Sequence, residues 1–393
     1  MPSASSLQPS PPVLHCIGLI SGTSMDAIDA ALVAFTDSGA KPVSATSWPL
    51  EEPVQRQLRA LGPDAPLREV AALDRRLGHM FAQAALAVLK RSGMRAAQVT
   101  AIGSHGQTVL HGTEDGEPCT VQIGDPNIIA LQTGMVTVAD FRRMDLAAGG
   151  EGAPLAPAFH AWQFGDTSLP QRSIVNIGGM ANLTVLPGKG GGGDVIGFDT
   201  GPGNVLLDEW IRHCRDLPMD RDGAWAATGK AREPLLQQML TDEYFSRPPP
   251  KSTGRERFNL SWLQKHLDNH NHKNGVAPQD IQATLLRLSV ETIAGAVRRH
   301  APSCSELLVC GGGMHNREFM QVLAAALPGL ALYSTGQRGL EPDYVEAVAF
   351  AWLARRRILA LPGNLPSVTG ARRSVLLGGI YDPHSGGSGA GRA

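Results

Sequence analysis

Residues 17–33, with the sequence IGLISGTSMDAIDAALV, decide the fold. Apolar runs at 17–20 and 30–35 flank a turn-rich segment at 21–26, which predicts a strand, a loop and a second strand. Residues 174–185, IVNIGGMANLTV, repeat this order in the second half of the chain. Two halves that each present a hairpin loop to a shared cleft would explain the repetition, whereas the alternative is two unrelated glycine-containing hairpins.

The rest of the chain alternates short apolar runs with segments of helical spacing, which favours an α/β fold. We expect two domains, residues 13–145 and 146–382, between disordered tails at 1–12 and 383–393. The predicted helices cover 54–61, 67–90, 206–215, 280–299, 317–327 and 344–359, and further strands are predicted at 99–104, 136–139, 195–198 and 307–310.

Composition excludes several classes of protein. Lys and Arg total 35 against 36 for Asp and Glu, so no general positive field attracts nucleic acid or an anionic membrane. Five scattered cysteines without a C-x-x-C spacing predict reduced thiols and no zinc site. The sequence contains neither a secretory signal nor an apolar run long enough to span a membrane, so we expect a cytoplasmic protein. Glycine, at 45 of 393 residues, is in excess.

The first glycine loop, residues 22–29, follows an apolar strand. Small residues let backbone N–H groups approach an anion, and hydroxyl groups can donate to phosphate oxygens. Asp26 and Asp29 are candidate ligands for Mg²⁺, directly or through water. The alternative interpretation is a polar hairpin turn.

A second loop, GFDTGPGN at residues 197–204, places a carboxylate at the end of a strand and ahead of a helix. This arrangement is common for a catalytic base near phosphates. The alternative is that Asp199 caps the helix that begins near Leu206. Asp199 lies several residues too early for that role and Asn204 is the better cap, so we favour catalysis.

Two further groups of loops could bind ligands. Gly311–Gly313 lie between a strand and a helix, where glycine lets a flat ligand such as a nucleoside rest on the backbone. Loops at 103–108, 122–125 and 139–145 carry hydrogen-bonding side chains and paired arginines that suit a polyhydroxy acid. His105 alone is a weak signal, because a loop histidine is more often structural.

Familiar nucleotide-binding and hydrolase motifs are absent from the sequence. Neither G-x-x-x-x-G-K-[ST] nor G-x-S-x-G occurs. G-x-G-x-x-G matches at 188–193, but that tract follows a proline and leads into a strand rather than a helix, so we interpret it as a slack loop.

Eight motifs in order resemble those of the anhydro-N-acetylmuramic acid kinases over about residues 14–382. They are ISGTSMD (20–26), SHGQT (104–108), QIGD (122–125), ADFR (139–142), NIGGMAN (176–182), FDTGPGN (198–204), GGGMHN (311–316) and EAVAF (346–350).

The resemblance implies a two-domain actin-like ATPase fold of the ribonuclease H-like type, with ATP in the interdomain cleft. It also implies a homodimer and a reaction that opens 1,6-anhydro-N-acetylmuramic acid with water and phosphorylates O6, in bacterial cell-wall recycling. The implied catalytic base is Asp199, and the implied metal ligand for Mg²⁺ is Asp26. The implied ATP-binding residues are Gly22, Thr23, Ser24, Met25, Asp26, Ala27, Ile28, Asp29, Asn176, Gly178, Gly179, Gly201, Gly203, Gly311, Gly312, Gly313 and Asn316. The implied sugar-binding residues are His105, Gln107, Gln122, Asp140, Arg142 and Glu346.

One departure from the family pattern concerns the first loop. Ala27 stands where the family commonly has glycine, and a positive φ there would strain alanine by about 1 kcal/mol or more. Two alternative functions belong to other classes. One is a non-catalytic nucleotide-sensing or chaperone-like binding protein on the same fold, but an Hsp70-type chaperone would need a peptide-binding domain, for which we expect too little chain after Leu359. The other is a metal-free glycosidase with paired carboxylates, which would not need three glycine loops and would turn over its substrate without ATP.

Overall fold

The computed structural model describes residues 13–36, 39–62, 64–114, 117–166, 168–188, 193–269 and 276–384. The predicted tail at 1–12, residues 385–393 of the predicted tail at 383–393, and most of the predicted slack loop at 188–193 lie outside these ranges. Among the described residues, no helix is both long and apolar enough to cross a bilayer.

The described residues form strands β1 (Leu14–Ser21), β2 (Ala27–Thr36), β3 (Gly39–Pro49), β4 (Ala101–Glu114), β5 (Glu117–Ile123), β6 (Thr137–Ala139), β7 (Gln171–Ile177), β8 (Met180–Pro187), β9 (Ile196–Pro202), β10 (Glu306–Cys310), β11 (Ala331–Ser334) and β12 (Gly379–Tyr381). The helices are α1 (Glu52–Ala60), α2 (Leu67–Ser92), α3 (Pro126–Thr133), α4 (Arg143–Ala147), α5 (Ala156–Phe164), α6 (Val205–Arg215), α7 (Glu233–Leu240), α8 (Glu243–Ser246), α9 (Leu260–Asn269), α10 (Pro278–His300), α11 (Arg317–Ala326), α12 (Val345–Ile358) and α13 (Pro366–Thr369).

The strands form two sheets with the same internal order. The first sheet runs β12-β6-β4-β1-β2-β3, with β5 paired to β4, and the second runs β11-β10-β7-β8-β9. In each sheet the first three strands form an antiparallel meander, and the next two core strands run parallel to the first. This order is the ribonuclease H-like arrangement, and its duplication is the actin-like architecture. The predicted fold class is confirmed.

The repeated sequence pattern corresponds to the first hairpin of each sheet. Ile17 pairs with Leu32 across β1 and β2, and Ile174 pairs with Thr184 across β7 and β8. Both first strands are almost wholly buried, because parallel and antiparallel neighbours flank them and helices cover the sheet. The expectation of two related hairpins is therefore correct.

Helix α12 packs closely across the first sheet at two glycines. A Cβ on Gly18 of β1 would lie 1.7 Å from the Ala347 carbonyl oxygen, and one on Gly103 of β4 would lie 2.1 Å from that of Phe350. Any side chain at either strand position would push the helix away. These contacts fix the position of α12, which carries Glu346 in its first turn.

The chain returns to the first sheet near its end. Strand β12 pairs antiparallel with β6, with Ile380 opposite Val138. The predicted boundary between residues 145 and 146 separates the remaining strands of the two sheets, but it assigns β12 to the second domain although β12 hydrogen-bonds within the first sheet. The division into domains stays a prediction.

Candidate active site

The hairpin loops of the two sheets meet face to face. We call residues 22–26, between β1 and β2, the first loop, and residues 178–179, between β7 and β8, the second loop. A Cβ on Gly179 would lie 2.2 Å from Thr23 Oγ1, so the second loop needs glycine at that position to sit against the first. Both predicted phosphate loops therefore lie at one place between the sheets.

The first loop leaves room for a ligand. A Cβ on Gly22 would meet no atom within 4 Å, and Thr23, Ser24 and Asp26 are exposed. Ser24 Oγ donates to Asp26 Oδ1 over 2.5 Å, which orders the end of the loop. The open side of this loop is where an anion could approach the backbone.

The positive backbone angle in the first loop lies at Met25, not at Ala27. Met25 has φ 56°, whereas Ala27 has no positive φ and begins β2, opposite Pro49. The departure from glycine at position 27 therefore causes no strain. Ile28 and Asp29 belong to β2, and Asp29 accepts a hydrogen bond from Ser47 Oγ over 2.5 Å.

The second loop is bound to the start of α6. The Gly179 carbonyl accepts from the amides of Gly203 and Val205 at 2.8 and 3.1 Å, and the Gly178 carbonyl accepts from the Asn204 amide at 2.9 Å. Asn204 is the N-cap residue of α6 as the sequence indicates, but its side chain donates to the Ile177 carbonyl instead of capping the helix. Gly203 leaves room for this contact, because a Cβ there would lie 2.4 Å from the Gly178 oxygen.

The predicted adenosine loop packs on β7 with two of its glycines and is open at the third. Gly311 has φ 81°, and a Cβ there would lie 2.2 Å from Asn176 Oδ1. A Cβ on Gly313 would collide with Ile177, but one on Gly312 would meet no atom within 4 Å. Asn316 Oδ1 accepts from the Phe319 amide and caps α11. Gly312 is therefore the glycine here that faces open space.

Asp199 lies on β9, opposite Asn182 of β8, and is fixed by α8 and by the segment that follows it. Asp199 Oδ2 accepts from the Thr253 amide at 3.0 Å, and the Asp199 carbonyl accepts from the Tyr244 hydroxyl at 2.7 Å. Burial raises the pKa of Asp199 to about 7, against the opposing effects of the Thr253 amide and the positive charge of Arg142. A carboxylate with such a pKa suits a general base at neutral pH.

Arg142 follows β6 of the first sheet, and its positive charge acts on Asp199 of the second sheet. Its Nε and one terminal nitrogen donate to His105 Nε2 at 3.0 and 2.9 Å, and its other terminal nitrogen donates to the Gly152 carbonyl at 2.8 Å. The carboxylates of Glu346 and Asp199 act on its charge, so the three side chains form one electrostatic group. Burial raises the pKa of Glu346, which is hydrogen-bonded to Asn176.

His105 holds the guanidinium group of Arg142 through hydrogen bonds. Its Nδ1 donates to the Gly106 carbonyl at 3.0 Å, so its Nε2 is left as the acceptor for Arg142. Burial and the Arg142 charge hold the pKa of His105 well below its usual range, so the ring is neutral. The ring also packs on Phe350 of α12, with 4.6 Å between centroids. Both ring nitrogens thus have partners within the protein, and sugar binding by His105 stays a prediction.

The other predicted sugar-binding residues have hydrogen-bond or ionic partners within the protein. Gln107 is buried and accepts from Ser21 Oγ at 2.7 Å, which ties β4 to β1. Gln122 donates to Thr120 Oγ1 at 2.7 Å, and Asp140, with φ 63°, pairs with Arg143. A separate cavity of about 150 Å³ is lined by residues that include Ser104, His105, Gln122, Asp140, Arg143 and Tyr381.

Several carboxylate groups lie near the first loop. Burial raises the pKa of Asp29 to about 6, and the negative charges of Asp26, Glu346 and Asp343 add to the shift. Within the described ranges, no three His, Cys, Asp or Glu side chains lie together as ready-made metal ligands. The surplus negative charge favours a cation here, but one that takes most of its ligands from phosphate oxygens and water, as Mg²⁺ commonly does.

The segment 251–253, which holds Asp199, could not be recognised as part of the site from the sequence. Lys251 is buried, and its ammonium group donates to the Tyr244 carbonyl at 3.0 Å. Asn182 Oδ1 and Thr253 Oγ1 are buried without a hydrogen-bond partner among the described residues, as is Asn176 Oδ1. Orphaned polar atoms around a cleft indicate a ligand or water site. The only sequence signal was a polar KSTGRE run at 251–256 after three prolines.

A profile described as anhydro-N-acetylmuramic acid kinase matches residues 14–383. The chain belongs to the anhydro-N-acetylmuramic acid kinase family. A protein of that name from Shewanella loihica is 49% identical over 370 residues, 93% of this chain and 98% of its own. Another from Coxiella burnetii is 47% identical over 367 residues, 93% of this chain and 96% of its own. The family resemblance inferred from the eight motifs is confirmed.

Solved structures similar to this anhydro-N-acetylmuramic acid kinase family member are more distant. Component A of (R)-2-hydroxyglutaryl-CoA dehydratase from Acidaminococcus fermentans has a TM-score of 0.43 at 12% identity, covering 86% of this chain and 96% of its own. A ROK hexokinase from Thermus thermophilus has a TM-score of 0.35 at 16% identity, covering 87% and 100%. The fold assignment rests on strand order and not on these likenesses.

Proposed function

We propose that this protein uses ATP to phosphorylate O6 of 1,6-anhydro-N-acetylmuramic acid while water opens the anhydro bridge. The products are N-acetylmuramic acid 6-phosphate and ADP, and the reaction recycles cell-wall sugars in the bacterial cytoplasm. Family membership carries the substrate class. The observation that carries the chemistry is Asp199, a half-buried carboxylate near the charge of Arg142 with a pKa raised to about 7.

Asp199 is the general base in this proposal. It takes a proton from a water molecule as that water attacks C1 of the sugar, and the C1–O6 bond breaks. Its hydrogen bond from the Thr253 amide fixes one carboxylate oxygen and leaves the other for the water. The O6 oxygen that departs from C1 is the acceptor of the phosphoryl group, so the two bond changes share one oxygen atom.

Phosphoryl transfer needs position and charge neutralisation more than covalent chemistry. The first loop presents exposed Thr23 and Ser24 beside the open side of Gly22, where the phosphates of ATP would lie. The open face of Gly312 would receive the adenosine. Mg²⁺, when bound with ATP, would offset the phosphate charge, and exposed Asp26 is the carboxylate best placed to hold it through water.

Arg142 is the proposed partner of the negatively charged sugar. The lactyl carboxylate of the substrate calls for a cationic donor, and the guanidinium group supplies paired N–H groups. Its charge also favours the ionised form of Asp199. Glu346, half-buried beside Arg142 and Asn176, is the candidate acceptor for a sugar hydroxyl or for the amide of the acetamido group. By family resemblance, we further propose that the protein is a homodimer.

An assay with anhydrosugar, ATP, Mg²⁺ and ¹⁸O-labelled water tests the proposal. We expect ADP only when the anhydrosugar is present, and we expect the label at C1 of the product as detected by mass spectrometry. Label in the phosphate would refute the mechanism. Sugar opening without ATP would instead support the glycosidase alternative, and ADP formation without any sugar would support a nucleotide-hydrolysing protein.

A further inference from the structure

Asp145 is a buried acidic residue that the proposed reaction does not use. It lies in α4, three residues after Arg142, and its side chain is 0% exposed. Asp145 Oδ1 accepts from Asn364 Nδ2 at 2.7 Å and from Thr369 Oγ1 at 2.8 Å, and Oδ2 accepts from the Gly152 amide at 2.8 Å. All three donors come from segments outside its own helix.

These bonds hold the turn formed by residues 149–152, which we call the 149–152 turn. A Cβ on Gly150 would lie 2.3 Å from Asp145 Oδ2, so the turn is folded directly over the carboxylate. The Glu151 amide donates to the Thr369 carbonyl at 2.8 Å, which fastens the other side of the turn to α13. The turn is therefore fixed by Asp145 and by the segment 364–369.

The 149–152 turn contacts both sides of the candidate site. Its Gly152 carbonyl accepts from Arg142 at 2.8 Å. Its Glu151 carboxylate accepts from Ser252 Oγ at 3.2 Å, and the next residue, Thr253, donates its amide to Asp199. One turn thus joins the supports of Arg142 and Asp199.

We infer that Asp145 is a positioning residue: through the 149–152 turn it sets where Arg142 stands relative to Asp199. This inference rests on the proposed function, in which Arg142 binds the sugar and Asp199 activates water. Asp145 itself contacts neither reacting group. Its effect passes through the Gly152 carbonyl to the guanidinium group, and through Glu151 and Ser252 to the loop that holds the base. The negative charge of Asp145 also acts directly on the guanidinium group of Arg142.

The test compares steady-state kinetics of Asp145→Asn with those of the wild-type protein. An Asn side chain has one acceptor oxygen where Asp has two, and its NH₂ group cannot accept a hydrogen bond. Asp145→Asn therefore loses either the contact with Asn364 Nδ2 or that with the Gly152 amide. We expect kcat/KM for the anhydrosugar to fall by about ten- to a hundredfold while KM for ATP stays within twofold, because a displacement of reacting groups near 1 Å has effects of this size. The double variant Asp145→Asn, Asn364→Asp exchanges donor and acceptor and should recover much of the loss.

The pH profile distinguishes positioning from a general loss of structure. The charged groups that act on Asp199 are Arg142, Glu256 and Glu346, and Lys251 also lies within electrostatic reach. Arg142 lowers the pKa of Asp199, so its displacement in Asp145→Asn should move the acidic limb of kcat/KM to higher pH. The control Asp280→Asn removes another buried carboxylate, which accepts the Lys230 amide at 2.8 Å, and should leave that limb unchanged.

Different outcomes separate the inference from the proposed function. If the wild-type protein forms no ADP with the anhydrosugar, the proposed function fails. If it does, and Asp145→Asn retains the wild-type sugar kinetics and acidic limb, the positioning role is refuted. Equal losses for sugar and ATP that match the folded fraction also refute it. If Asp145→Asn does not fold, Glu151→Gln tests the Ser252 link, and an unchanged kcat/KM for the sugar in that variant overturns the inference.

Discussion

The two hairpins that open the two sheets share a sequence pattern and a topology, yet their loops differ. The first loop is exposed, carries hydroxyl groups and an aspartate, and leaves open space above Gly22. The second loop has its carbonyls bonded to the start of α6 and its Gly179 packed on Thr23. The first loop therefore has an open side, which suits our proposal that it binds the phosphates of ATP, whereas the second loop holds neighbouring elements in place. Duplicated topology does not imply duplicated chemistry.

The largest expected effect lies beside the second hairpin. Asp199→Asn should lower kcat by about 10²–10⁴-fold because the variant cannot accept a proton from water, while ATP still binds. ADP formation and calorimetric titration with an ATP analogue measure the two properties. A matched change in the first hairpin, Asp29→Asn, keeps a hydrogen bond to Ser47 and should have a much smaller effect on kcat. Near-normal turnover of Asp199→Asn would contradict the assignment of the base.

The same substitution should stabilise the protein without ligands above neutral pH. Burial raises the pKa of Asp199 in the folded state to about 7 from 3.8, so the ionised form costs folding free energy once the pH passes through that range. Asn has no such cost. We expect a higher Tm for Asp199→Asn at pH 8 and a much smaller difference at pH 4. If Asp199→Asn were instead less stable than the wild-type protein at pH 8, the folded protein would stabilise the ionised carboxylate of Asp199.

The pH dependence of kcat/KM in the wild-type protein should show a base with a raised pKa. Because Asp199 must be ionised to accept a proton, kcat/KM should fall about tenfold per pH unit below the pKa of about 7 and level off above it. Measurements of ADP release between pH 5 and pH 9 would check this, with ATP saturating. A profile that stays flat down to about pH 5 would place the base at a carboxylate with an ordinary pKa.

Matched glycine substitutions test the difference between the two loops directly. Gly179→Ala should lower the free energy of unfolding by about 1–3 kcal/mol, because the added Cβ overlaps Thr23. Gly22→Ala meets no protein atom and should change it by less than about 0.5 kcal/mol. Urea unfolding measures both, and Thr23→Ala should recover part of the loss in the Gly179→Ala background. Equal effects at the two positions would mean that the loops do not pack as described.

A small effect is also expected at Ala27. Because this residue begins β2 with an ordinary backbone angle, Ala27→Gly should destabilise the protein by about 0.5–1 kcal/mol through the greater flexibility of the unfolded chain. A stabilising effect in the same urea experiment would instead indicate strain at this position. The positive φ of the loop belongs to Met25.

Much of the fold was predictable because buried strands and amphipathic helices leave a period in the sequence. The pairs of strands at 17–33 and 174–185 were correct, as were the helices at 280–299 and 344–359. Strands β3 and β5 escaped detection because they are largely exposed and carry few apolar residues. The strand β12 has three residues, two of them exposed, and depends on its pairing with β6.

The site was predictable in part. Loops between an apolar strand and its successor are visible in the sequence, and so Asp199 and the glycine loops were found. The partners of Asp199 were not, because Tyr244, Lys251 and Thr253 contact it through backbone atoms or through one another, and such contacts leave no pattern of residue types. Arg142 is held by His105 and by the 149–152 turn. These contacts likewise join separate segments of the chain, which meet only in the folded protein.

By itself the sequence determined the fold class, the family and the position of the candidate base, since all three depend on local patterns of apolar runs, glycines and one carboxylate. Only the tertiary structure decided which glycines border open space and which pack against the protein. Gly22 and Gly312 border open space, whereas Gly179, Gly203, Gly311 and Gly313 make room for other parts of the protein. The reason is that a glycine in the sequence indicates that something lies close to the backbone, but it does not show whether that neighbour is a ligand or another part of the protein. Packing between distant segments decides which of the two it is.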